Sequence, residues 1–568
     1  GSSSLTAGGG TALDILSNAP SVQVDADGEL TLRGSGNFLV YVDGKPSPLD
    51  GTAALQQIPA SSVEDIEIIT TPSARYRSDG DVGIINIKTT GPSSERFGGA
   101  LNLTGGTLGT WGADGKLSIR HGHSTFYAGG IFQDIKCKGD FKQEKKTFLE
   151  DETVGPGFGY ETISHSDGER YRSNRTMIAD AGWQFDDGEK HNIILDFQAG
   201  MTRNHRGGNM LYEETRRWIM PIDEMVFENT YNSADHYILK KKLVQGSLDY
   251  RWKITPNSEI SLSNRLRYDP YSLEYTESNM FTLKGVRDEG TRGYEEEHHW
   301  DADGALGYEL GYSPTGKLET GYQYLTYSEH GGFSFKTWDK NVQDFVWDET
   351  QNIPFYYRRQ NHILYAMVTD KLGKLDFDAG LRAERVIDEM TIEMKDASRF
   401  VKIWDFFPSA HLSYDAASAG TFSFGYSRRT NRPGIWNLEP YITYEDYYTK
   451  KLGNPDINPE YIHSGELGWH KTFESGNSLA ATGYFRYRND ISEWVRSAYE
   501  PGVTLDQIVN SGDQIETGLE ANAIFKPVKW WQTTVGGCLF DYKFTAENEV
   551  CTDREGLHWF ANWANAFS

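Results

Sequence analysis

Long apolar runs are absent from this chain of 568 residues: no stretch approaches the roughly 18 apolar residues that a membrane helix needs. The mean hydropathy of −0.59 would by itself describe a soluble protein. A wall of β-strands with one apolar face gives a similar average, because its polar face offsets the apolar one. The composition therefore excludes a helical membrane protein and leaves a soluble fold and a transmembrane barrel open.

Cysteine is scarce, with three residues in the whole chain. No CxxC or Cys/His ligand spacing occurs, so the sequence does not predict a structural zinc site. Cys538 and Cys551 could face each other across one hairpin, although an odd number of Cys weakens the case for a disulfide. Cys137 is expected to be unpaired. No secretion signal is visible, so we expect that Gly1 is not the start of the translated chain.

Positive charge is in deficit, since 56 Lys and Arg residues stand against 81 Asp and Glu, a net charge of −25. Nucleic-acid binding needs clustered cations that neutralise phosphates, so no nucleic acid is expected as a partner. Gly, Tyr and Trp are plentiful, at 59, 32 and 15 residues. Aromatic girdles and short turns of a transmembrane barrel require these residue types, which favours the barrel.

Apolar and polar residues alternate with period two from about Phe97 onward, in segments separated by turn residues. A soluble sandwich has the same period, but its strands are shorter and its apolar face turns inward. The charged face here is too heavily charged for that and suits a water-lined lumen. For the segment 374–384 we predict a lipid-facing set and a lumen-facing set: Leu375, Phe377, Ala379 and Leu381 against Asp376, Asp378 and Arg382.

The first ninety residues contain four blocks in a fixed order: TALDILSNAPSV (11–22), LTLRGSGN (30–37), VYVDGKP (40–46) and IPASSVEDIEIITTPSARYRSDGDVGIINIKTT (58–90). Their local patterns predict short helices at 12–17 and 55–58 and β-branched strands around 22–24, 30–32, 38–42, 66–68 and 84–87. Block for block, this order resembles the plug domain of TonB-dependent outer-membrane transporters. The segment 426–466 independently resembles the barrel of that family, with an Arg-rich strand end and a GNPxxxPE loop.

The resemblance implies a transmembrane β-barrel with an N-terminal α+β plug domain in its lumen. We expect a flexible lead-in at 1–10, the plug at 11–92 and the barrel at 93–568. About 18 antiparallel strands are visible where the family has about 22. We therefore expect the barrel to be incomplete at its C-terminus, and an unusual smaller barrel is the alternative. Tight turns at 187–188, 255–257, 314–316 and 475–477 should be periplasmic, and long polar connections at 139–167, 207–235, 268–297 and 328–354 should be extracellular loops.

The function that the resemblance implies is TonB-dependent import of an unidentified solute across the outer membrane of a Gram-negative bacterium. The implied partners are the inner-membrane TonB complex, outer-membrane lipid and lipopolysaccharide. A surface lipoprotein or other outer-membrane subunits are further candidate partners. The alternative is a plugged barrel that serves as a structural subunit or scaffold of a larger outer-membrane complex.

Candidate site residues lie on the plug. In this family the segment around Tyr76 rises toward the extracellular mouth, so we predict ligand contacts by three neighbours and by residues at two plug turns: Arg75, Tyr76, Arg77, Asn37 and Lys45. The alternative for the segment is that it docks the plug on the wall. Three charged plug positions are predicted to form buried ion pairs with one another or with the barrel: Arg33, Glu64 and Glu67.

No pattern predicts catalysis, a cofactor or a metal site. The chain has no nucleophile elbow, phosphate loop or metalloprotease helix, so we do not expect an enzyme. The run Glu295 to His299 contains three Glu followed by two His. Adjacent residues of a strand point to opposite faces, so His298 and His299 cannot bind one ion without a kink. A solvated strand end is the prediction there, and Asp301 and Asp303 are also expected to be solvated.

Overall fold

The computed structural model of the chain describes residues 11–17, 22–24, 29–33, 35–47, 51–56, 58, 60, 63–89, 97–151, 157–219, 224–392, 397–446, 448–528, 530–548 and 550–567. The predicted lead-in at 1–10 lies outside these ranges. No helix in the described part of the chain is long and apolar enough to cross a membrane.

A small α+β domain forms the N-terminal part, as the sequence predicted. Its elements are α1 (Ala12–Leu16), β1 (Val22–Val24), β2 (Leu30–Leu32), β3 (Leu39–Val42), β4 (Lys45–Pro46), α2 (Gly51–Leu55), β5 (Val63–Ile69) and β6 (Ile84–Thr89). The second helix ends at Leu55, so the helix predicted over 55–58 was placed too far along the chain. Strands β1 and β2 pair with each other, and the other four form one sheet in the order β4-β3-β6-β5.

The central strand β6 explains why the end of the fourth block is almost entirely β-branched. It pairs in parallel with β3 and antiparallel with β5, and Ile84, Ile85 and Ile87 are fully buried. Gly83 precedes the strand with φ +122°, and a Cβ on it would lie 2.3 Å from the carbonyl oxygen of Ile69. Only glycine fits this close approach of two strands. The sequence DVGIINI is therefore a turn into a buried strand.

The second part of the chain is one long antiparallel sheet that curves around the first. Its elements are β7 (Phe97–Gly105), β8 (Trp111–His121), β9 (Ser124–Glu150), β10 (Gly159–Asp186), β11 (His191–Ile219), β12 (Glu224–Thr255), β13 (Ser258–Thr282), β14 (Arg287–Gly311), β15 (Lys317–Asp339), β16 (Asp344–Trp347), β17 (Ile353–Leu372), β18 (Leu375–Ile392), β19 (Ala397–Asp415), β20 (Thr421–Asn431), α3 (Ile435–Leu438), β21 (Ile442–Asp446), β22 (Thr449–Leu452), β23 (Glu460–Thr472), β24 (Ser478–Glu500), β25 (Val503–Val528), β26 (Trp531–Ala546) and β27 (Arg554–Phe567).

Twenty-one strands follow one another around this wall. Three of them, β16, β21 and β22, are short strands inside connections, which leaves eighteen long strands in the described ranges, as counted from the sequence. Chain neighbours among the long strands pair antiparallel, with backbone registers such as that of β10 with β11. Strands β7 and β27 stand next to each other in the circular order, and no register joins them among the described residues.

The outer face of the wall is an apolar belt close to the short turns. Leu195 is the fifth residue after the short turn that begins β11, and Leu467 is the sixth residue from the short turn that ends β23. Both side chains are exposed, so the belt lies within a few residues of the short turns. On β19, exposed Trp404 and Tyr414 bracket the apolar positions, a span of about ten residues that matches the ~25 Å apolar band of such barrels. An apolar patch that continues from strand to strand marks a lipid-facing surface.

The predicted orientation of the segment 374–384 is confirmed. Leu381 is 48% exposed on the outer face, whereas Arg382 is buried and donates to Gln323 at 2.8 Å. Asp378 accepts a hydrogen bond at 2.9 Å from His411, which in turn contacts the plug. Inward positions are therefore the charged ones, as a lumen filled by a polar-surfaced domain requires.

The predicted long loops at the other end are mostly β-structure, which corrects the sequence interpretation. Strand β11 runs to Ile219 and β12 starts at Glu224, so nearly all of 207–235 is a continuous hairpin. The same holds for 139–167 and 268–297. Above the lipid neither face of a strand needs to be apolar, so the alternation fades although backbone pairing continues. The four predicted tight turns do join consecutive strands at the short-turn end.

The N-terminal domain lies inside the wall, which confirms the predicted plugged barrel. Its residues contact inward-facing side chains on strands around the circuit: Arg265 on β13, Asp303 on β14, Glu384 on β18, Ser409 on β19, Glu466 on β23 and Glu520 on β25. We call this domain the plug. Its three-dimensional position was predicted from family resemblance; the contacts themselves were not.

Cys137, Cys538 and Cys551 are all free thiols.

The belt predicts a depth-dependent cost of charge on β18. Leu381→Arg places a guanidinium near the middle of the apolar band and is expected to lower the free energy of unfolding from a lipid bilayer by about 2–4 kcal/mol. The matched variant Leu375→Arg changes the same face of the same strand beside the short turn, where about 0–1 kcal/mol is expected. Denaturant unfolding in phospholipid vesicles measures both. Equal costs at the two positions would contradict the proposed depth of the band.

Candidate functional site

The plug segment 70–81 runs along the inner wall of the barrel. The N–H of Ala74 donates to Ser409 Oγ at 3.1 Å, and Ser78 Oγ donates to Glu384 Oε1 at 2.7 Å. Each of these hydrogen bonds joins the plug to a different strand of the wall. The segment therefore fastens the plug sideways onto β18 and β19.

Arg75 points toward the short-turn end of the barrel. Its guanidinium lies 3.8 Å from Glu319, the third residue of β15, beside the short turn before that strand. Its backbone carbonyl accepts a hydrogen bond from Gln323 at 3.3 Å. The side chain is 49% exposed. This is the end of the barrel opposite to the long hairpins.

Tyr76 and Arg77 are held by Tyr41 of strand β3. The ring of Tyr76 packs edge-on against Tyr41 at 5.4 Å between centroids, and the N–H of Arg77 donates to the Tyr41 hydroxyl at 3.1 Å. The Arg77 guanidinium pairs with Asp303 at 2.6 Å. Asp303 is therefore an inward ion-pair partner, not the solvated residue that was expected. Ligand contact by Arg75, Tyr76 and Arg77 stays a prediction, and the contacts that the structure gives them are with the plug and the wall.

The two other predicted ligand residues differ in what can be said of them. Asn37 organises the plug internally: its carbonyl accepts the N–H of Asp81 at 3.0 Å, and its own N–H donates to Ser35 Oγ at 3.1 Å. Lys45 belongs to β4, and its side chain lies outside the described part of the structure. Neither residue has a described contact at the mouth of the barrel.

Arg33 is the strongest ionic link between the plug and the wall. Its guanidinium contacts Glu466 on β23 at 2.6 Å and Glu520 on β25 at 2.5 Å, and it lies over the ring of Tyr484. The side chain is 5% exposed. Arg33 has a φ of 47°, a left-handed conformation that costs about 1–2 kcal/mol for a residue with a Cβ. Such strain persists where the surrounding contacts over-determine the conformation.

Glu64 and Glu67 do not have the buried surroundings that were expected of them. Both lie on β5, an edge strand of the plug sheet. Glu64 is exposed, and Glu67 pairs with Lys88 on the neighbouring strand and accepts a hydrogen bond from Asn86 at 2.9 Å. The hydrogen bond from Lys88 is the main reason why the pKa of Glu67 is lowered. Glu67 is therefore paired within the plug by its neighbouring strand and not with the barrel.

The Arg-rich end of β20 grips the same plug loop from the other side. Buried Arg429 donates through Nε to the carbonyl of Gly80 at 2.7 Å. Arg488 on β24 lies 3.3 Å from Asp81 and 3.0 Å from Glu460. Glu460 is the last residue of the GNPxxxPE sequence. The segment 426–466, which resembles the family's barrel, therefore contributes contacts that hold the plug loop in place.

The connection 432–459 after that strand folds back into the mouth of the barrel. Its apolar residues enter one buried cluster with inward-facing residues of β15, β17, β18 and β25: Phe333, Phe335, Ile353, Phe355, Tyr357, Met390, Ile392, Ile435, Leu438, Tyr441, Ile457 and Ile508. Arg399 donates to the carbonyl of Ile457 at 3.2 Å, and Arg359 donates to that of Pro433 at 2.7 Å. We call this inward-folded connection the inner loop.

A cavity of about 280 Å³ lies between the inner loop and strands β11 to β15. Its lining combines acids, cations, amides and aromatic rings: Arg206, Tyr237, Glu274, Thr276, Gly293, Glu295, Phe333, Trp436, Asn437, Glu439, Tyr441, Thr443, Lys451, Gly453 and Trp494. Glu439 is buried, and burial together with the charge of Glu297 holds its pKa well above the ordinary value. A concave site with a few convergent polar groups is the usual form of a small-molecule site.

Beside this cavity, buried acids meet a histidine. His299 Nε2 lies 2.9 Å from Glu297 Oε2 and 3.9 Å from Glu329 Oε2. Within β14, Glu297 and His299 share a face because they are two residues apart, and His299 is the register partner of Glu329 on β15. The sequence prediction rested on the adjacent pair His298 and His299, and it did not include this set. Testing positions two apart on each strand would have found Glu297 with His299.

A larger hollow of about 840 Å³ lies on the wall strands β10 to β15. Its lining includes Leu195, Phe197 and Leu266, which are exposed on the outer belt. We therefore attribute it to the lipid-facing surface rather than to a solute site. The cavity under the inner loop and the neighbouring acids form the candidate site.

Comparisons with known proteins agree with the fold. The profile of the outer membrane protein beta-barrel family matches residues 254–568, and that of the TonB-dependent receptor plug domain matches residues 5–84. Among curated proteins, the vitamin B12 transporter BtuB of Vibrio vulnificus (strain YJ016) is 35% identical over 144 residues. That alignment covers 23% of this chain and 22% of BtuB, so the matching part spans about a fifth of the relative's length.

Two solved structures show the same architecture at low sequence identity. The apoprotein form of the FrpB iron transporter from Neisseria meningitidis is 13% identical, with a TM-score of 0.59, over 98% of this chain and 84% of that chain. The copper transporter OprC is 12% identical, with a TM-score of 0.61, over 98% of this chain and 89% of that chain. These named proteins are transporters rather than enzymes, and their likeness extends to the fold.

The link made by Arg33 predicts an asymmetric response to substitution. Arg33→Met removes the buried guanidinium that pairs with the partly buried Glu466 and Glu520, and we expect it to destabilise the plug's attachment by up to about 3–5 kcal/mol. Adding Glu466→Gln and Glu520→Gln should recover most of that loss. The matched control Arg75→Met removes a half-exposed pair and should cost about 0–1 kcal/mol. Urea dependence of plug proteolysis measures all four proteins. Equal effects of the two arginine substitutions would contradict the assignment.

Proposed function

Because the chain belongs to the outer membrane protein beta-barrel family, with the plug of a TonB-dependent receptor, we propose that it imports a solute across the outer membrane. The proposed partner that supplies energy is the inner-membrane TonB complex. The named relatives carry vitamin B12, iron or copper, and a bound metal or a metal-containing solute is the proposed class here. The inward-facing cavity under the inner loop is the proposed place of recognition.

The observation that carries this proposal is that the plug has a hydrophobic core of its own. The buried apolar cluster of the plug consists only of described plug residues, from Ala12 to Ile87. Its described contacts with the wall include hydrogen bonds and ion pairs, such as those of Arg33 and Ser78, and no described wall residue belongs to that apolar cluster. A domain held by polar contacts can be shifted without opening an apolar core, because water can satisfy the polar groups that are released.

The alternative is a permanently shut scaffold in a larger outer-membrane assembly. Both functions need a well-attached plug, so attachment alone does not separate them. Movement of the plug does, because import through this barrel requires the lumen to open. A reversible covalent bond between plug and wall is therefore the most direct test.

A disulfide at Thr71 and Gly425 should lock the plug. A Cβ built on Gly425 lies 3.4 Å from Thr71 Cβ, close to the ~3.5–4.5 Å of disulfide geometry. In a background with Cys137, Cys538 and Cys551 replaced by alanine, we expect Thr71→Cys/Gly425→Cys to abolish uptake when oxidised and to restore it with reductant. Uptake of radiolabelled cyanocobalamin, ferric enterobactin and copper ion is measured in cells with and without TonB.

Each single-Cys variant is the matched control and should import equally with and without reductant. Uptake that persists in the oxidised double variant, or that is equal without TonB, would contradict gated transport. Absence of uptake for all three probes, together with stable co-purification in a multi-protein complex, would favour the scaffold.

A further inference from the structure

The run Glu295 to His299 sorts its side chains onto two faces of β14. Glu295, Glu297 and His299 are buried toward the lumen, whereas Glu296 and His298 are exposed on the opposite face. The exposed His298 contacts the carbonyl of Pro270 at 2.8 Å. The same two residue types therefore occur in two environments within five positions.

The buried set forms a compact group of donor atoms with Glu329 of β15. One nitrogen of His299 and one oxygen from each of Glu297 and Glu329 all lie within 4.8 Å of one another. Glu297 is 2% exposed and Glu329 is 1% exposed. Ligands at the usual ~2.0–2.2 Å from a tetrahedral ion are about 3.4 Å apart. The separations from His299 Nε2 to Oε2 of Glu297 and of Glu329, 2.9 and 3.9 Å, bracket that value, and the Oε1 atoms are the second oxygens of the same carboxylates.

Two buried carboxylate oxygens in this group have no hydrogen-bond donor. With both groups ionised, Oε1 of Glu297 and Oε1 of Glu329 accept no hydrogen bond from any described residue, whereas a proton on Glu297 would be shared with Glu329. Their other oxygens are engaged by His299 and by the Tyr327 hydroxyl. A buried carboxylate without a partner is costly, so such atoms point to a cation that is bound between them.

The surroundings are those of a metal-binding histidine. Nδ1 of His299 lies 3.8 Å from Asp269, which is itself held by Arg267. This distance is longer than a hydrogen bond, but a carboxylate on that side favours a proton on Nδ1 and leaves Nε2 to face a metal. The positive charge of Lys241 favours the ionised forms of Glu297 and Glu329. The neighbouring acids Glu295 and Glu439 oppose ionisation of Glu297.

We infer that Glu297, His299 and Glu329 bind a divalent transition-metal cation on the inner face of the barrel wall, beside the cavity under the inner loop. One imidazole nitrogen with two carboxylate oxygens suits zinc, iron, cobalt or nickel. Calcium requires six to eight oxygen ligands, and copper(I) prefers sulfur. Glu295 and Glu439, whose charges act on Glu297, line the neighbouring cavity. The inference stands on these contacts and does not depend on transport.

The test uses the purified full chain in detergent after removal of metal by a chelator. Co²⁺ is titrated by its visible absorption, and Zn²⁺ is measured by competition. We expect saturable binding of one ion, weakened at least ~10–100-fold by each of Glu297→Gln, His299→Gln and Glu329→Gln. The matched variants Glu296→Gln and His298→Gln change the same residue types on the outer face and should leave the affinity unchanged.

Two results would overturn the site. One is the absence of saturable binding to the unmodified protein, as expected if the carboxyl groups share protons instead. The other is equal loss of affinity in the inner and outer variants. If an inner variant fails to fold, X-ray absorption at the zinc edge of the unmodified protein decides, since a first shell without imidazole excludes His299. Binding without uptake would contradict only the proposed transport.

Discussion

Guanidinium groups buried between plug and wall are the interaction on which the rest of this structure depends. Arg33 reaches from the plug to two strands, and Arg432, the first residue of the inner loop, contacts Asp79 of the plug at 3.4 Å and Glu384 of β18 at 3.0 Å. In such surroundings a paired charge is stable, while a charge whose partner is removed is strongly destabilising. Ionic partners therefore hold both ends of the plug's contact with the wall, and hydrogen bonds such as that of Ala74 with Ser409 fix the segment 70–81 between them.

The mouth is built differently, because the inner loop brings its own apolar residues into the lumen. Ile435, Leu438 and Ile457 pack against the inner faces of neighbouring strands, so the inner loop is fixed to the wall by a buried apolar cluster. The cavity and the buried acids lie beside this cluster. Polar contacts between plug and wall, with apolar contacts between inner loop and wall, would allow the plug to shift while the cavity keeps its shape.

Lipid dictates which parts of this fold could be predicted from sequence. Leu381 and Arg382 were assigned to opposite faces because a strand in a bilayer must be apolar on one side, and that constraint repeats every two residues. Beyond the lipid the constraint ends, so the hairpin extensions were taken for loops. The surroundings of Tyr76 depend on the path of the plug segment, which no local pattern records. Glu297 and His299 share a face by spacing alone, but Glu329 joins them only through strand register.

The pairs of Arg33 also set an order of assembly. Arg33 and its partners Glu466 and Glu520 are 433 and 487 residues apart in the chain. Contacts between such distant segments form late, because the entropy of closing the intervening chain is lost before they can stabilise anything. The plug thus obtains this anchor from strands that lie far along the chain and are synthesised after it. Until then, Glu466 and Glu520 lack the contact with the Arg33 guanidinium, and a wall that closed without its plug would not gain it.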